Sequence, residues 1–214
     1  MEAKRLLLTA TLFALGAIPA KAQAVYSVNI VGYINKTLNP GLTLLANQLN
    51  TLPNNSVQTL FGTPPGPITI DKFNPSAGNF DQAAYDPEGG WSDPTSMVLN
   101  PGQGAFVDNA GPALTLTLVG EVQLNSVVTI HPGIDIYSSV LPVAGSLPDI
   151  LGFPVPLGSV TVCRFNGSGF DCYAYDLDIN DWIPTRPSVE VAEAFFIDNA
   201  GGILAWTRNF TVGP

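Results

Sequence analysis

The stretch Asp176-Leu177-Asp178-Ile179-Asn180-Asp181 sets side-chain oxygens at alternate positions, which is how a loop begins to gather hard ligands around calcium. Asp176, Asp178 and Asn180 are the candidate ligands, and calcium is the one cofactor the sequence suggests. The pattern departs from an EF-hand: Asp181 stands where a glycine makes the sharp turn, and Pro187 where a glutamate closes the loop. Earlier in the chain the matching stretch is only Asp86-Pro87-Glu88-Gly89-Gly90, so a solvated hairpin tip is the competing expectation.

Cys163 and Cys172 are the only cysteines. The segment 160–175 reads as a hairpin centred on Asn166-Gly167-Ser168-Gly169, whose glycines supply the positive φ of a tight turn. Symmetric folding sets Phe165 opposite Phe170 and Cys163 opposite Cys172, close enough for a disulfide. In the first half of the chain the matching positions are Asp71 and Gln82, both polar, so the two sites differ together. A metal or redox pair is the rival, but there is no Cys-x-x-Cys spacing and no neighbouring histidine.

Trp91, Trp182 and Trp206 offer flat rings that could stack on sugars. Trp91 and Trp182 hold matching places in two halves, which fits core anchors better than a ligand platform. The single histidine, His131, precedes Pro132-Gly133 in a turn and cannot build a multi-histidine zinc site. No serine lies in a nucleophile-elbow context, and no glycine-rich loop leads into a helix to cradle phosphate. Paired carboxylates could support glycoside hydrolysis, yet the acidic residues fall mostly in turns. The expectation is therefore a chain without catalysis.

The elements that must position these residues repeat. Pro40-Gly41-Leu42-Thr43-Leu44 and Ile68-Thr69-Ile70-Asp71-Lys72-Phe73-Asn74 match Pro132-Gly133-Ile134-Asp135-Ile136 and Val160-Thr161-Val162-Cys163-Arg164-Phe165-Asn166. Both pairs lie 92 residues apart (132 minus 40, 160 minus 68). Ala105-Phe106-Val107-Asp108-Asn109-Ala110-Gly111 matches Phe195-Phe196-Ile197-Asp198-Asn199-Ala200-Gly201 at an offset of 90, since the second hairpin turn is two residues shorter. Val-Gly pairs at Val31-Gly32, Val119-Gly120 and Val212-Gly213 mark borders. Alternation such as Leu114-Thr115-Leu116-Thr117-Leu118, with Gly or Pro about every ten residues, predicts strands; only 147–151 reads as a helical turn. The expected fold is all-β: two tandem, similar β-sandwich-like or small-barrel modules, residues 25–119 and 120–214, after a cleaved signal peptide at 1–24.

The leader expectation rests on Lys4 and Arg5, the apolar run 6–18, and the small residues Ala20 and Ala22. With it go Glu2, Lys4, Arg5 and Lys21, so 8 Lys+Arg against 17 Asp+Glu becomes 5 against 16, a net charge near −11. Nucleic acid is not an expected partner. No membrane span is expected either, and the location is secreted, periplasmic or cell-surface.

Pro-Gly-Leu-Thr-Leu-Leu-Ala-Asn-Gln-Leu at 40–49, the hairpin from Ile70 to Tyr85, a tryptophan, and Leu-Asn-Pro-Gly-Gln-Gly-Ala-Phe-Val at 99–107 follow one another in order. This series resembles repeat modules of exported proteins in bacteria such as the Verrucomicrobia. More loosely it resembles the Gly-Trp-Asn-Leu-Ile-Ser … Pro-Gly-x-Gly-Tyr-Trp modules of bacterial surface proteins. The second half departs from it, with Val191-Ala192-Glu193-Ala194 in place of the Pro-Gly-x-Gly segment, and neither half has the tryptophan of the looser pattern. The resemblance implies an extracellular, non-catalytic β module. The function expected is a structural or interaction protein of the cell surface, with self-association or a glycan or cell-surface partner; a carbohydrate-binding module and a glycoside hydrolase are the alternatives.

Overall fold

The computed structural model describes residues 30–92 and 96–210. The leader at 1–24 and the Val212-Gly213 pair lie outside the described residues. The described residues are nearly all-β and open-sheeted, with no closed barrel among them.

In the first half, β1 (Val31–Leu38) pairs antiparallel with β7 (Leu114–Glu121) as a two-stranded ribbon. β2 (Gly41–Ala46), β3 (Ile68–Asn74), β4 (Asn79–Asp86), β5 (Gly90–Trp91) and β6 (Gly104–Asn109) form a five-stranded sheet in the order β2-β6-β3-β4-β5. Strict alternation explains β7: Leu116 and Leu118 turn inward while Thr115 and Thr117 face solvent. Those leucines, Ile34 and Leu38 of β1, and Leu45, Ile70 and Val107 of the sheet share one apolar core, so ribbon and sheet are the two layers of a small sandwich.

The second half has the same order. β8 (Asn125–Ile130) pairs with β16 (Leu204–Asn209). β9 (Gly133–Tyr137), β11 (Val160–Phe165), β12 (Phe170–Asp176), β13 (Asp181–Ile183) and β15 (Phe195–Asn199) make a sheet ordered β9-β15-β11-β12-β13. A short pair, β10 (Gly145–Ser146) with β14 (Ser188–Val189), corresponds to the single bridge between Ser56 and Val98. The second core gathers Ile130, Val160, Val162, Phe195, Ile197 and Trp206. In both halves one buried asparagine staples the turn after the β6 or β15 strand. Asn109 Oδ1 accepts from Gly111 N and its amide donates to Leu38 O and Pro112 O; Asn199 does the same with Gly201 N, His131 O and Gly202 O.

One expectation shifts. The helical turn lies not at 147–151 but at the matching first-half segment, α1 (Val57–Phe61), capped by Ser56 Oγ accepting from Thr59 N. Residues 147–150 form only a turn, ended by Gly152 (φ 62°) as α1 is ended by Gly62 (φ 59°). β7 itself runs through Glu121. Val31-Gly32 and Val119-Gly120 lie in facing strands with Gly32 directly opposite Gly120. A Cβ on Gly32 would meet Leu49 Cδ2 at 2.8 Å and one on Gly120 would meet Asn50 O at 2.7 Å, so these glycines let the chain after β2 cross the ribbon.

The Cys163–Cys172 disulfide spans β11 and β12 at directly paired positions, with Phe165 paired to Phe170 two residues further along the hairpin. At the equivalent place Gln82 Nε2 donates to Asp71 Oδ1 at 2.9 Å. The bridge closes a short loop, which the chain-entropy relation values at about 2–3 kcal/mol. Replacing both cysteines by serine is expected to lower unfolding stability by that amount in urea titrations, with the β content unchanged. A variant as stable as the parent would contradict this account.

Candidate functional site

The two halves face each other through the outer sides of their five-stranded sheets, and the contacts are reciprocal. Ala46 N donates to Ala192 O at 3.0 Å, and Ser138 N donates to Gly102 O at 2.9 Å. Leu45 bridges to Glu193, and Tyr137 to Gln103. Ala46 and Ser138 are counterparts at an offset of 92, Gly102 and Ala192 at 90, so each contact is the other rotated by half a turn. This is the signature of an isologous, twofold interface. Gln48 clamps it: its buried amide donates to Ser139 O and Leu141 O and accepts from Ala192 N.

Six phenylalanines lie about the pseudo-twofold. Phe73 meets Phe80 at 5.3 Å between ring centres, and Phe165 meets Phe170 at 5.5 Å. Across the halves Phe73 meets Phe196 at 6.0 Å and Phe106 meets Phe165 at 5.3 Å, while Phe106 and Phe196 face each other at 6.1 Å. The outer members stay open to solvent: Phe80 is 43% and Phe170 47% exposed, beside Leu42 at 47% and its counterpart Ile134 at 48%.

Where this patch ends, a groove of about 720 Å³ opens between the halves, lined by Lys72, Phe80, Asp81, Gln103 and Asp135 among others. Lys72 Nζ donates to Val98 O at 2.7 Å and Gln103 Oε1 at 3.2 Å. Burial pulls the Lys72 ammonium below the usual lysine range, opposed by the carboxylates of Asp135 and Asp81. Burial likewise pushes the Asp135 carboxyl up, opposed by the Ile136 N–H it accepts and by the charges of Lys72 and His131. A second groove of about 450 Å³ lies at the rotated position and is lined by Arg164, Phe165, Thr43 and Glu193. There Arg164 is clamped by Glu193 through bonds of 2.6 and 2.9 Å, and that carboxylate raises its affinity for its proton. The grooves have therefore diverged: Lys72, Gln103 and Asp135 in one stand where Arg164, Glu193 and Thr43 stand in the other.

The residues singled out from the sequence are placed elsewhere. Asp176 Oδ1 accepts from Asp178 N and Ile179 N, closing the turn between β12 and β13, and Asn180 takes a left-handed φ of 53° within it. Asp86 does the same with Glu88 N and Gly89 N in the first half. Asp181 is held by Arg186. Among the described residues no three His, Cys, Asp or Glu side chains gather closely enough to hold a metal. The tryptophans form no stacking platform. Trp182 and Trp206 are 5% and 2% exposed inside the second core, and half-buried Trp91 donates from Nε1 to Gly62 O; each packs edge-on against neighbouring rings. Their alternation with buried apolar neighbours turns them inward. His131 is exposed in the turn between β8 and β9, its backbone N–H donating to the Tyr137 hydroxyl. Lys72, Phe80, Gln103 and Asp135 escape sequence reasoning because no local spacing joins them. No family model, no curated protein and no solved structure matches the chain.

Proposed function

We propose that the chain is an exported, non-catalytic interaction protein of the cell surface or extracellular space, built from a duplicated β module and acting without a cofactor. The observation that carries this reading is the solvent exposure of the large apolar residues Leu42, Phe80, Ile134 and Phe170, two from each half. Exposed apolar side chains gathered about a ring cluster, as Phe80 and Phe170 are through Phe106 and Phe196, mark a recognition site. Supporting it, the Cys163–Cys172 bridge suits an oxidising compartment, and no helix among the described residues is long and apolar enough to cross a membrane. A net charge of −9 over the whole chain disfavours nucleic acid. The purified chain is expected to co-sediment with cell envelopes of its source cells, and Phe80→Ser with Phe170→Ser to reduce the bound fraction about tenfold, as loss of exposed ring anchors does. Equal partitioning of parent and double variant would overturn the reading.

A further inference from the structure

We propose that the groove beside Lys72 is a binding site for a neutral oligosaccharide, with Phe80 as the stacking ring and Lys72, Asp81 and Asp135 as hydrogen-bonding groups. This rests on the interaction reading above and names its ligand class. A sugar presents a flat C–H face and a rim of hydroxyls that both donate and accept. The groove supplies the complement: a half-exposed ring at its rim, an ammonium donor, and two carboxylate acceptors contributed by both halves. Its volume of about 720 Å³ falls within the range of small-molecule sites and leaves room for roughly two to three pyranose rings. One cation against two carboxylates disfavours an anionic ligand, and the ammonium itself disfavours a cation.

The divergence of the two grooves points the same way. Arg164 is neutralised by Glu193 through two short bonds, which fix its guanidinium in that groove. Lys72 meets the neutral Gln103 and a backbone carbonyl instead. An ammonium carries three donors, so one remains for a ligand hydroxyl after those two bonds. Were both grooves merely cementing the halves together, the closed ion pair would serve in either place.

The test is isothermal titration of the full mature chain with cellohexaose, xylohexaose, laminarihexaose, mannohexaose and chitohexaose in turn. One of them is expected to bind saturably. Phe80→Ala should weaken that binding about tenfold or more, and Phe170→Ala, on the rotated rim, should leave it within about twofold. Gln103→Glu recreates the closed ion pair and should also weaken binding about tenfold while leaving the thermal midpoint near the parent's. If none of the five saturates while the protein still adsorbs to envelopes, the groove assignment falls and the interaction reading stands. If neither occurs, both fall. Equal losses in Phe80→Ala and Phe170→Ala would also overturn the assignment.

Discussion

Gly104→Ala is expected to cost about 3 kcal/mol, the upper part of the range for overfilling a packed interior. A Cβ at Gly104 would overlap the Cβ of Ala194, and would stand 2.9 Å from Leu45 O and 3.0 Å from Ile136 Cγ2. None of these is the far end of a flexible side chain; relief at Ala194 and Ile136 requires the two sheets to separate, and relief at Leu45 O requires a shift of the neighbouring strand in the same sheet. Gly104 and Ala194 are counterparts at an offset of 90, meeting close to the pseudo-twofold. The double variant Gly104→Ala with Ala194→Gly passes one methyl group from one side to the other, and it should recover all but about 1 kcal/mol. Urea unfolding of the four proteins in the cycle measures the coupling, which should reach about 2 kcal/mol with a sign showing rescue. Additive losses would mean that the halves are not seated against each other at this point.

Trp206→Ala is expected to cost about 3–5 kcal/mol. The side chain is 2% exposed, packs on Phe153 at 5.2 Å and Phe195 at 6.4 Å between ring centres, and donates from Nε1 to Leu151 O at 2.9 Å. Truncation removes one of the two tryptophans of the second core and leaves a buried carbonyl without its donor. For a chain of this length the midpoint of thermal unfolding should fall by roughly 8–15 °C. Trp206→Phe keeps most of the bulk but not the N–H, so an intermediate loss of about 1–3 kcal/mol is expected from the orphaned carbonyl and the remaining void. Calorimetry on the three proteins checks the ranking, and an unchanged midpoint for Trp206→Ala would contradict the burial described.

Features set by short-range rules were legible in the sequence. The pairings of Cys163 with Cys172, Phe165 with Phe170 and Asp71 with Gln82 follow from one turn and strict alternation, and the structure has those registers. The asparagine of the Asp-Asn-Ala-Gly stretches was readable as a turn-closing residue for the same reason. Trp206 could have been assigned to the core from its parity with Leu204 two residues before it, which matters more than its ring chemistry. The groove was not legible, because Lys72 and Asp135 come from different halves and meet only once the sheets pack. A signal did exist: Phe73, Phe106, Phe165 and Phe196 fall on the strand parity of solvent-facing neighbours such as Asp71, Asp108 and Asp198. Aromatic residues on an otherwise polar face, recurring in both halves, imply that the face is covered.

The meeting of Gly104 with Ala194 has a consequence for how such a molecule can change. Two separate, identical subunits related by a true dyad would set alanine against alanine, which collides, or glycine against glycine, which leaves a gap. A single continuous polypeptide escapes that choice, since each side mutates on its own. The same freedom lets one groove keep a sealed Arg164–Glu193 pair while the other holds an unsealed lysine. Joining the halves end to end thus removes the rule that every substitution must occur twice, and lets a symmetric assembly carry two unlike sites.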